Sequence, residues 1–182
     1  MKATDQKTTV ETKSFGDRET LASSLAETVA GQLSAAVERN GKAAIAVSGG
    51  STPKLFFDKL SVQAIDWANV TVTLVDDRMV PPDHERSNER LVYEHLLKNE
   101  AIRAKFVPLW SDISDHVDTL AEHASTAIGH FERPFDVVIL GMGTASPKAS
   151  FFPEGDNLDA ATDPASRAEV VSMMAPGAVS GR

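Results

Sequence analysis

Apolar residues recur at every fourth position through Leu21, Leu25, Val29, Leu33 and Val37, the stripe that one face of an amphipathic helix carries. Asp17 ahead of the stripe is a helix-capping residue type, and Asn40-Gly41 behind it is a stop signal. The period then changes. Residues 43–47 form a short unbroken apolar run, as expected of a parallel strand covered on both faces. A helix is predicted to begin near Pro53, because a first helical residue has no use for the amide hydrogen that proline lacks. Leu55, Phe56 and Leu60 form its predicted buried side. Residues 70–75 are β-branched and strand-like, and end on Asp76-Asp77-Arg78, before Pro81-Pro82 breaks the chain. Beyond it the pattern predicts a helix over 88–97, a strand over 106–110, a helix over 114–131 and a strand over 135–140. A weaker alternation over 8–15 predicts an additional first strand, following a polar tail at 1–7.

Strands separated by helical segments imply an α/β fold: one domain over 8–182 with a mostly parallel, Rossmann-like sheet covered by helices on both faces. Ligands of such sheets gather at the carboxyl ends of the strands. Three loops fall at such ends, 48–52, 76–78 and 141–150, and they form the candidate site.

Composition narrows the function classes. With 182 residues, 42% of them hydrophobic and 24% charged, the chain has the make-up of an ordinary globular domain. It has no cysteine, which excludes disulfides, thiolate metal sites and a cysteine nucleophile. The polar start of the chain resembles neither a secretory signal nor an anchor, and the concentrated apolar run at 137–140 is far too short to span a bilayer. A cytoplasmic protein without membrane contact is expected. The net charge of −8 argues against nucleic acid as a partner. It leaves room for a small phosphorylated ligand, which a few backbone amides and one arginine can hold.

In Gly49-Gly50-Ser51-Thr52-Pro53 the glycines let backbone approach a ligand, the hydroxyls add donors, and a helix begins at once. A plain strand-to-helix turn with a capping hydroxyl is the alternative reading of the same residues. Asp76, Asp77 and Arg78 read either as a salt-bridged strand end, or as a phosphate-binding arginine with a carboxylate that orients a reacting group. Ser87-Asn88 reads as a helix cap. Of the five histidines, His84 lies in the proline-rich loop near Arg78 and the others fall on predicted helices, and none forms a metal-ligand pair.

Taken together, residues 46–54, residues 75–83 from Val75 to Asp83, Ser87-Asn88 and residues 135–153 resemble the 6-phosphogluconolactonase family, part of a larger group of sugar-phosphate enzymes that includes glucosamine-6-phosphate deaminases. The resemblance implies hydrolysis of 6-phospho-D-glucono-1,5-lactone to 6-phosphogluconate in the pentose phosphate pathway, on a small phosphorylated sugar lactone and with no metal or organic cofactor. It implies that Gly49, Gly50, Ser51 and Thr52 line the sugar-phosphate pocket, that Asp76 is the polar catalytic residue and that Arg78 binds phosphate. Asp77 stands where the family usually has glutamate.

The third loop departs from the family's Gly-Met-Gly-Glu-Asp-Gly-His-Thr-Ala-Ser-Leu-Phe-Pro. Pro147 occupies the position of the histidine base, Thr144 and Ala145 replace the two acids, and Lys148 adds a cation that could join the phosphate site. Arg182 aligns with an arginine that begins a further strand in the family, and that strand and its helix are expected to be lacking here. Oligomerisation with a second copy, or loss of stability, is the expected consequence of the uncovered sheet edge. The implied function is therefore lactone hydrolysis impaired by loss of the usual histidine. Two alternatives keep the fold: a non-catalytic or altered sugar-phosphate-binding paralogue, and a sugar-phosphate isomerase or deaminase.

Overall fold

Caps fix the first helix at both ends. In the computed structural model, which describes residues 10–131, 134–141 and 151–174, α1 spans Arg18–Asn40. Asp17 Oδ1 accepts a 2.7 Å hydrogen bond from the Thr20 amide, and Gly41, at a φ of 74°, returns its N–H to the Val37 carbonyl. That left-handed conformation is one glycine adopts without the clash a side chain would cause. The helix buries Ala22, Ala26, Val29, Leu33 and Ala36, while Leu21 is 45% exposed. A strict four-residue repeat drifts about 40° per step around a helix of 3.6 residues per turn. The expected stripe therefore holds at its centre and leaves the core at Leu21.

Residues 10–15 form no strand, which corrects the expectation drawn from their alternation. Val10 is exposed, and no strand of the sheet pairs with this segment. Alternation supplies one apolar face, and a strand also needs a neighbour for its backbone groups.

The remaining elements follow as β1 (Ala43–Val47), α2 (Lys54–Ser61), β2 (Val70–Leu74), α3 (Asn88–His95), β3 (Lys105–Val107), α4 (Val117–Gly129), β4 (Val137–Ile139) and α5 (Leu158–Thr162). The four strands pair in parallel in the order β3-β2-β1-β4, with Ile45 of β1 level with Val72 on one side and Val137 on the other. Ile45, Val47, Val70, Val72 and Leu74 face a core completed by Leu33 of α1, Phe57 and Leu60 of α2, and Val92 of α3. Each such side chain removed from water contributes roughly 1.5–3 kcal/mol. Phe57, which the sequence pattern does not place in the core, is fully buried, and Leu55 only packs against its rim. α4 stands over the opposite face, across a cavity of about 390 Å³ lined by Ala46, Thr73, Val138, Leu120 and Ile128. α5 has no counterpart in the sequence pattern; five residues with none buried leave no periodic signal to read.

The order 3-2-1-4 puts the reversal of the sheet between β1 and β4, where the chain leaves in opposite directions and opens a crevice. The carboxyl ends of the strands are tied together at this point. Val75 N–H donates to the Val47 carbonyl at 2.9 Å, and Ser48 donates both its N–H and its hydroxyl to the Ile139 carbonyl, at 3.1 and 2.9 Å. The Gly141 amide donates in turn to Ser48 Oγ at 3.2 Å. One serine thus fixes where the loops after β1 and β4 begin. Among the described residues no helix is long and apolar enough to cross a membrane.

Candidate functional site

The turn after β1 is shaped by its two glycines for different reasons. Gly50 has a φ of 92°, a conformation that disfavours any side chain. Gly49 is required by a neighbour: a Cβ there would lie 1.8 Å from Asn88 Oδ1 and 2.0 Å from its Cγ. α2 starts directly afterwards with no side chain capping it, so its first amides stay available to an anion. Gly49→Ala is therefore expected to lower stability by about 1–3 kcal/mol, the usual cost of overpacking. Chemical denaturation measures this, and a wild-type midpoint would show that Asn88 yields freely.

Asn88 cannot yield freely, because it is the hub of the strand end opposite. It is 2% exposed at the start of α3. Its Nδ2 donates to the Asp76 carbonyl at 2.8 Å and lies 3.5 Å from Asp76 Oδ1, while its Oδ1 accepts from Arg78 Nη1. The same Nη1 also donates to the Arg86 carbonyl at 3.0 Å. Arg78 Nε is buried with no hydrogen-bond partner. Asp77 turns away from the crevice: its carboxylate accepts from the amides of Arg78 at 2.8 Å, Asn88 at 2.8 Å and Glu89 at 3.2 Å, capping α3 from outside the helix. Burial pushes the Asp77 carboxyl up, against the pull of these three amides. Of the two carboxylates at this strand end, one is structural, and Asp76 is the one beside the site.

Arg78 borders two cavities. On one side an open pocket of about 450 Å³ is lined by Gly50, Ser51, Lys54, Arg86 and Asn88. On the other side Arg78 and Asp76 border the cavity of about 390 Å³ beneath α4. Gly50, Ser51 and Arg78 line one pocket, with Gly49 directly behind Asn88, whereas Thr52 is exposed on the loop. Pro147, Lys148 and Arg182 lie outside the described residues.

Sequence reasoning missed Asn88, Lys54 and Arg86 as site residues. Lys54 had a signal in its position one residue after the glycine turn. Asn88 had a signal only in the resemblance that Ser87-Asn88 helps to carry, which gave it no role, since a cap residue and a buried clamp look alike in sequence. His84 accepts the Arg86 amide at Nδ1, at 3.1 Å, so in the neutral ring its proton sits on Nε2. In that arrangement it has no free nitrogen with which to take a proton from water. Among the described residues no group of three or more His, Asp or Glu side chains is placed to hold a metal ion.

Glu89, next to the hub, is 7% exposed, and its Oε2 has no hydrogen-bond partner. Burial first, and the charge of Asp77 second, raise its pKa from 4.5 to about 7. A carboxyl whose folded pKa is raised is favoured in its protonated form, so its stabilising contribution is complete below pH 4.5 and is lost as pH rises through 7. Glu89→Gln, neutral at every pH, is expected to be more stable than the wild type at pH 8 by about 2–4 kcal/mol and nearly equal to it at pH 4.5. Denaturation curves at the two pH values measure this difference; parallel losses in both proteins would remove Glu89 as the cause.

The comparisons with known proteins agree with this geometry. Residues 16–179 match the family model described as glucosamine-6-phosphate isomerases/6-phosphogluconolactonase. The 6-phosphogluconolactonase of Rhizobium meliloti is 48% identical over 164 residues, covering 90% of this chain and 70% of that protein. That of Mesorhizobium japonicum is 47% identical over 152 residues, covering 84% of this chain and 63% of that protein. The crystal structure of a 6-phosphogluconolactonase from Shewanella baltica superposes with a TM-score of 0.89 at 43% identity, covering 93% of this chain and 71% of the other. The chain thus spans about two thirds of the length of these relatives. With a family model matched over nearly its whole length and relatives at this identity, the chain belongs to the glucosamine-6-phosphate isomerase/6-phosphogluconolactonase family.

Proposed function

We propose that the chain hydrolyses 6-phospho-D-glucono-1,5-lactone to 6-phosphogluconate, with the phosphate bound between Arg78 and the Gly49-Gly50-Ser51 turn. The observation that carries the reading is the Arg78 guanidinium, held at one nitrogen by Asn88 and the Arg86 carbonyl while its Nε has no protein partner. Facing it across the open pocket are Gly50, Ser51 and Lys54, so a phosphate at the turn would meet Lys54 and backbone amides, while Glu94 on the same wall is paired with Arg90 and Glu85 is the other carboxylate of the lining. The names of the relatives support the same substrate class.

In this reading water adds to the lactone carbonyl, the ring C–O bond breaks, and the departing ring oxygen takes a proton to become a hydroxyl. Asp76, beside Arg78, orients the water and accepts its proton. Because Pro147 brings no proton acceptor to the third loop, Asp76 carries this step without histidine, and turnover is slow. Lys148 and Arg182 are proposed as further cations toward the phosphate.

The experiment follows lactone disappearance above its spontaneous rate, with 6-phosphogluconate binding measured by calorimetry in parallel. Saturable turnover that Asp76→Asn abolishes is the expected result. Binding with no turnover would instead make the chain a sugar-phosphate binder, the reading that Pro147 favours. Failure to bind 6-phosphogluconate at all would overturn the phosphate site.

A further inference from the structure

The Asn88 side chain touches all three parts of the site. Its amide lies against the backbone of Gly49 so closely that no Cβ fits there, donates to the Asp76 carbonyl at 2.8 Å and accepts from Arg78 Nη1. It is 2% exposed, and its own backbone is held by Asp77, with the N–H donating to Oδ1 at 2.8 Å. A helix N-terminus needs no asparagine side chain for this; Ser87 already caps α3 by accepting the Arg90 amide. The Asn88 amide is therefore left for a different task.

Arginine loses much of its recognition power when its fork is free to swing, because planar bidentate binding depends on orientation as well as charge. Among the described residues the Arg78 fork is held at one nitrogen. Nη1 has two acceptors, Asn88 Oδ1 and the Arg86 carbonyl, whereas Nε has none. An asparagine suits this position because it offers both an acceptor for the guanidinium and a donor for the Asp76 carbonyl. Aspartate would present a second oxygen to that carbonyl, and leucine neither group.

We propose that Asn88 is the positioning residue of the site: by holding Arg78 Nη1 and the Asp76 backbone against Gly49, it leaves the rest of the guanidinium fork for the substrate's phosphate and sets the spacing between Arg78 and Asp76. The inference rests on the phosphate site proposed above.

Calorimetric titration of 6-phosphogluconate into wild type, Asn88→Ala, Arg78→Ala and the double variant tests it, with gluconate as the unphosphorylated control. Asn88→Ala is expected to weaken 6-phosphogluconate binding by at least about tenfold, a difference near 1.4 kcal/mol, and to leave the weak binding of gluconate unchanged. The double variant is expected to bind no more weakly than Arg78→Ala, since Asn88 acts on phosphate only through that arginine. A residue with a merely structural role would give losses that multiply and would affect both ligands alike. Asn88→Leu, which removes the amide without emptying its space, repeats the test should the alanine variant not fold. Wild-type affinity in a folded Asn88 variant, or multiplying losses, overturns the inference while leaving the phosphate site standing. A wild-type chain that binds no 6-phosphogluconate overturns both.

Discussion

Arg78→Ala is expected to cut 6-phosphogluconate affinity by about two to three orders of magnitude while the protein stays folded. The magnitude follows from the hydrogen bonds that the guanidinium would make. Hydrogen bonds to a charged group contribute about 1.5–3 kcal/mol each, and a guanidinium meets phosphate with two of them. With each at the lower part of that range, removing both takes away about 3–4 kcal/mol, which is about two to three orders of magnitude because every 1.4 kcal/mol is a factor of ten. Lys54 and the amides at the start of α2 remain, so binding is weakened without being reduced to zero. Folding should survive because Arg78 is only partly buried, although Asn88 Oδ1 is then left without the guanidinium as its donor. Arg78→Lys should recover only part of the affinity: it restores a point charge but neither the fork nor the reach to the Arg86 carbonyl. Calorimetry against 6-phosphogluconate and gluconate reads the effect as a reduced preference for the phosphorylated ligand. A variant that kept this preference would place the phosphate elsewhere.

This expectation can be drawn from the sequence because strand-end loops announce themselves. β1 is a continuous apolar run and β2 a β-branched one, each followed closely by glycine or aspartate, and the parallel pairing of such strands brings their ends together wherever the intervening chain is helical. Arg78 and Gly50 are 28 positions apart in sequence and line one pocket for that reason. Periodicity is less informative where a pattern needs a partner. The alternation before Asp17 meets no strand, and the four-residue stripe of α1 drifts off its buried face at Leu21. The function of Asn88 is illegible for a further reason. Its partners Asp76 and Arg78 sit 12 and 10 residues away across a proline-rich loop, and only the path of that loop decides whether the amide meets them or solvent. The same holds for the two adjacent aspartates. Spacing and composition make Asp76 and Asp77 equivalent and only the family resemblance tells them apart, whereas the chain beyond β2 leaves one beside the site and sets the other under the start of α3, where three amides receive it.

The effect of largest size is expected from the third loop. Pro147→His should raise the rate of lactone opening by about 10²-fold or more, within the 10²–10⁴ that a positioned general base typically contributes. The substitution restores the residue that the family resemblance puts at this position, and the flanking Gly141 and Phe151 are both held at the site. Gly141 donates its amide to Ser48 Oγ, beside the glycine turn, and Phe151 lines the same cavity as Asp76 and Arg78. Imidazole titrates near pH 6.5, so the variant's rate should rise with pH through that region, and the wild-type profile measured beside it reads whether the limb is new. Affinity for 6-phosphogluconate should change little, because Arg78 and the Gly49-Gly50 turn are untouched. This combination separates catalysis from binding. A faster rate with the new pH limb and unchanged affinity means that the rest of the machinery is intact and that proline alone restrains it. An unchanged rate in a folded protein that still binds would mean that residue 147 is not where the base acts, and that the sugar phosphate is held by this chain for a purpose other than hydrolysis.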